Sequence, residues 1–76
     1  MTDDAIIEAC LAHGAKRVYD AAYRCMTDGP AALAAFGLDA TNILEMDRVG
    51  RVAYRLLSPL EQAADLADVA IQLAKL

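Results

Sequence analysis

Seventy-six residues at 8.1 kDa leave room for one small domain spanning 1–76, and a content of 58% hydrophobic against 24% charged residues excludes intrinsic disorder. The net charge of −4 and a pI near 4.6 oppose unaided binding to nucleic acid or to an anionic membrane. No apolar run approaches the ~18–20 residues of a membrane span, and the opening Met-Thr-Asp-Asp lacks the basic segment of a secretory signal, so a cytoplasmic protein is expected.

Helix signals dominate; alternating Val/Ile/Thr runs and Asn-Gly or Asp-Gly hairpin turns are missing. Thr2 suits a helix N-cap, with Asp3 and Asp4 at the positive end of the dipole. Ile7, Leu11, Gly14, Val18, Ala21 and Cys25 then recur at steps of four and three, which predicts one helix over 3–27; the rival reading breaks it at His13-Gly14. Asp28-Gly29-Pro30 punctuates the chain, and Pro30 opens a short helix over 30–36, ending before Gly37. Thr41 or Asn42 caps a third helix over 41–57 with Ile43, Met46, Val49, Ala53 and Leu56 on one face. Ser58-Pro59-Leu60-Glu61 combines a capping Ser, Pro at the first position and Glu three residues after the cap, opening a fourth helix over 59–75. The fold expected is all-α, a compact bundle of about four helices with short connections.

Sidedness makes the last helix informative. Glu61, Asp65, Asp68, Gln72 and Lys75 form one polar stripe, while an alanine-rich flank (Leu60, Ala63, Ala67, Ala70, Ala74) and a second flank of Leu66, Val69, Leu73 and Leu76 are both apolar. A helix apolar over most of its circumference requires cover on two sides. The first helix likewise carries Tyr19, Tyr23 and Met26 away from its main seam. Seventeen of the hydrophobic residues are alanine, which bury little area, and a core this thin calls for a partner or a second copy. Tyr19, Tyr23, Met26, Leu66, Val69, Leu73 and Leu76 are therefore the candidate partner-binding residues, with the alanine flank reserved for packing against Gly50 and Ala53.

Arg48, Arg51 and Arg55 share one face of the third helix and form a possible basic stripe. If the last two helices fold back on each other, Arg55 meets Glu61, Arg51 meets Asp65 and Arg48 meets Asp68, so mutual neutralisation is favoured over phosphate binding. Residues 32–46 resemble a helix-turn-helix unit, with Ala32, Phe36, Gly37, Leu38, Ile43 and Met46 at its packed and turn positions. Its groove-facing positions, however, would be Asp39, Ala40, Thr41, Asn42 and Glu45, followed by Asp47. Asn42 suits adenine, but the carboxylates oppose phosphate.

Cys10 and Cys25 lie ~22 Å apart if one helix carries both, beyond disulfide reach, and read as reduced thiols. His13 shares a face with Cys10, but a zinc site needs further ligands. Cofactor motifs and paired catalytic acids are missing, so no cofactor, metal or enzymatic activity is expected. Acyl carrier proteins are similar in length and charge, but they carry phosphopantetheine on a serine in an Asp-Ser-Leu motif. Here the sole serine, Ser58, sits between Leu57 and Pro59 and caps a helix. The expected function is a non-enzymatic interaction module that binds or occludes a partner protein or a second copy, such as a regulator or inhibitor of a nucleic-acid-handling complex. Five Arg against two Lys, with abundant Ala, suit a GC-rich bacterial or phage genome. The alternative is a small helix-turn-helix-like DNA-binding regulator.

Overall fold

The computed structural model describes residues 1–75, the Val69 side chain excepted. Five helices follow in order: α1 (Asp3–His13), α2 (Ala15–Asp28), α3 (Ala31–Ala34), α4 (Ile43–Arg55) and α5 (Pro59–Ala74). No strand occurs among the described residues. The all-α bundle holds.

The single helix expected over 3–27 is two. Thr2 caps α1, its hydroxyl accepting from the Ala5 N–H at 3.3 Å, and α1 ends where the Gly14 N–H donates to the Cys10 carbonyl at 2.8 Å. Gly14 sits at φ 98°, ψ 129°, a conformation that side chains disfavour, and α2 restarts directly after it. The break resets the helical phase. The α1 core face is Ile6, Ala9 and Cys10, whereas Leu11, placed on the seam by continuous periodicity, points to water. On α2 the seam is as expected, with Val18, Ala21 and Cys25 buried together with Ala22.

Gly29, at φ 95°, ends α2 and donates to the Cys25 carbonyl at 3.0 Å. The one-turn α3 inserts Leu33 into the core, and the connector returns with Leu38 and Ala40 buried. Asn42 caps α4, its side-chain oxygen accepting from the Glu45 N–H at 2.9 Å. Met46, Val49, Gly50 and Ala53 form the inner face of α4, which makes its broadest contact with α2. Cys10 and Cys25 are both free and buried.

Ser58 builds the expected capping box: its hydroxyl accepts from the Glu61 N–H at 3.2 Å, and the Glu61 carboxylate accepts from the Ser58 N–H at 3.0 Å. Among the described residues, the helix it starts does not fold back on α4, and no other helix packs broadly against it. The small surface meant to receive its alanines is already in use: Ala53 is fully buried in the core, and the Tyr23 ring covers Gly50 so closely that a β-carbon there would lie 2.6 Å from Tyr23 Cε2. The charge register across the joint fails with it. Arg48 instead pairs with Asp3 at 2.6 Å and donates to the Met1 carbonyl at 2.7 Å, while Arg51 pairs with Asp47 at 2.8 Å.

Because no described side chain of α5 is buried, Ser58→Ala is expected to act on that helix and hardly on the core. Loss of the cap costs α5 about 0.5–2 kcal/mol, read as reduced helicity by far-UV circular dichroism with little change in melting temperature. An unchanged spectrum would show that the box does not hold the helix.

Candidate protein-binding surface

Among its described side chains, α5 meets the domain at its base, through polar residues. Its half-buried positions among the described side chains are Glu61, Gln62 and Asp65. Gln62 donates from Nε2 to the Tyr54 carbonyl at 3.0 Å, and the Tyr19 hydroxyl donates to Asp65 Oδ2 at 3.2 Å. The large apolar side chains face water, with Leu60 83%, Leu66 62%, Ile71 55% and Leu73 64% exposed. Ala63, Ala64, Ala67, Ala70 and Ala74 are exposed between them. An amphipathic helix in a monomeric domain places its apolar arc on the core. This one buries none of its described apolar side chains.

Of the predicted partner-binding residues, Leu66 and Leu73 share this exposed arc. The Val69 side chain and Leu76 lie outside the described residues. Tyr19 and Met26 pack against the core, and Tyr23 is the most exposed of that group. Tyr19 is the hub of an aromatic cluster, its ring 5.0 Å from Tyr23, edge-on, and 5.8 Å from Tyr54. The tyrosines thus join α2, α4 and the base of α5. Sequence reasoning placed Leu60 on the alanine flank and left Ile71 unassigned; the error was to assume that α4 covers that flank.

Burial, the hydrogen bond to Asp65 and the Asp65 charge raise the Tyr19 phenol to about 12. Burial, followed by the charge of Asp47, also raises Tyr23. A phenol titrating near 10 in the unfolded chain and about 12 in the folded one stabilises fully below pH ~10, and that contribution is lost as pH rises through 12. Alkaline titration is therefore expected to detach α5 from Tyr19 over this interval, while Tyr19→Phe removes the Asp65-linked part of the transition. Identical alkaline profiles for the two proteins would exclude the Tyr19–Asp65 contact as the anchor.

Arg48, Arg51 and Arg55 line one open groove on the outer face of α4 with Asp3, Leu44, Asp47 and Val52. Two of the three arginines are held by carboxylates of that groove. In the segment 32–46, which the sequence likens to a helix-turn-helix, α3 is one turn and Ala40 is buried. Asn42 is occupied as a cap, and Asp47 is paired with Arg51. His13 packs edge-on to Phe36 with ring centroids 5.1 Å apart, and Arg17 lies 5.7 Å over the same ring. Burial pushes the Cys10 thiol up, so it stays protonated.

No family model, curated protein or solved structure matches the chain. The surface itself is the guide to function.

Proposed function

We propose that this protein is a non-enzymatic interaction module that binds or occludes a partner protein through the outward apolar arc of α5. The observation that carries the reading is the polar attachment of that helix at its base, with Glu61, Gln62 and Asp65 half-buried against the domain and Leu60, Leu66, Ile71 and Leu73 in water. A contiguous exposed apolar patch on a small domain marks an interaction site. The net charge of −4 suits docking on basic surfaces, and hence regulation or inhibition of a nucleic-acid-handling complex in a bacterial or phage setting. Free, buried Cys10 and Cys25 suit a reducing cytoplasm.

A pull-down with wild type and with Leu66→Asp/Leu73→Asp, with and without nuclease and high salt, tests the reading. A protein partner that survives nuclease and is lost with the double variant supports it. Recovery only through nucleic acid, unaffected by the α5 variant, overturns it in favour of the DNA-binding alternative.

A further inference from the structure

We infer that the occupant of the α5 arc is a second copy of this chain, its α5 packed antiparallel to the first. The inference rests on the interaction reading above and names the partner of that surface. Residues of α5 fall on a heptad with Leu60, Ala63, Ala67, Ala70 and Ala74 at the inner seam, Leu66 and Leu73 on one flank, and Ala64 and Ile71 on the other. Asp65 and Gln72 lie diametrically opposite, and Asp65 is the residue tied to the domain by Tyr19. The anchor therefore aims the seam away from the molecule.

The seam is self-complementary. An isologous contact requires that residue i meet j while j meets i. Placing the two-fold axis between Asp68 and Val69 sets Ala63 against Ala74 and Ala67 against Ala70 of the second copy. The same register sets Leu66 beside Leu73 on one flank and Ala64 beside Ile71 on the other, with both contacts repeated by symmetry. Alanine at the seam lets two helices approach to the short end of the ~8–10 Å range, and the larger flank residues then close over the gap. Lys75 comes level with Glu61 of the second copy. Asp68 meets its symmetry mate at the solvent edge, where water screens the pair. Four large side chains more than half exposed and five exposed alanines, along ~24 Å of helix, present a face of the order of the ~800 Å² per partner that a stable interface buries. A foreign helix would have no reason to match this palindrome.

Light scattering after size exclusion is expected to find wild type as a dimer and both Ala67→Glu and Leu73→Asp as monomers. Both variants keep the circular dichroism of folded α1–α4, because no described α5 side chain enters the core. A folded wild-type monomer at the highest attainable concentration overturns the inference, as does a variant that stays dimeric. For the register, chains carrying Ala63→Cys are mixed with chains carrying Ala74→Cys and mildly oxidised; the native cysteines are buried. Predominance of the mixed disulfide supports the antiparallel pair. Predominance of like-with-like disulfides means a parallel pair and overturns it. A wild-type monomer that still captures a different protein through α5 would sink the self-pairing while leaving the interaction reading intact.

Discussion

Leu33→Ala is expected to remove a large share of the stability of the domain. Leu33 is fully buried, on a one-turn helix whose neighbours are alanines, so the side chain is the main apolar wedge that α3 contributes. Its carbonyl also accepts from the Phe36 N–H at 3.0 Å and the Leu38 N–H at 3.1 Å, closing the turn around it. Truncating a buried Leu costs about 2–5 kcal/mol, against roughly 4–11 kcal/mol for the whole fold at this length. At ~4–8 °C per kcal/mol, thermal melting should fall by about 10 °C or more, or the cooperative transition should vanish. A shift of a degree or two would mean that α3 is peripheral and the core lies between α2 and α4 alone.

Gly14→Ala has the next largest expected effect, and its interest is conformational. Nothing lies within 4 Å of a β-carbon built on Gly14, so no clash opposes the substitution; the φ of 98° does. Holding Ala in that region costs about 1–3 kcal/mol. Straightening the chain relieves the strain by fusing α1 and α2, but it withdraws the fully buried Ile6 from the core and breaks the Arg48–Asp3 pair. The variant should therefore melt several degrees lower while its helical content is unchanged or higher. An unchanged or raised melting temperature would restore the single helix as the native arrangement.

That contest explains what was legible. The helical class, the Thr2, Asn42 and Ser58 caps, and the punctuation at Gly29-Pro30 are local signals, and each acts within four residues. Periodicity misled at Gly14 because the seam of steps three and four runs through it on paper, while one backbone rotation moves Ile6 inward and Leu11 outward. The fold-back of α5 failed for a non-local reason. The Arg and acidic stripes match in spacing, but Tyr23 takes the Gly50 surface that a hairpin needs, and no residue near the Ser58 joint signals this. The surplus of apolar surface on the last helix was readable; which arc remains in water depends on the contacts of Tyr19 and Tyr54.

Every buried residue among those described lies between Ile6 and Leu57, so the capped α5 is expected to open as a separate unit. A lone helix of this length is marginal in water, and its amides should open by local fraying while those of α1, α2 and α4 open with the whole fold. Hydrogen exchange would then divide into two tiers at the Ser58 joint. In the slow tier the free energy of unfolding governs. Beyond the joint, the residence time of whatever covers α5 governs, so exchange there becomes a direct clock for occupancy of the surface.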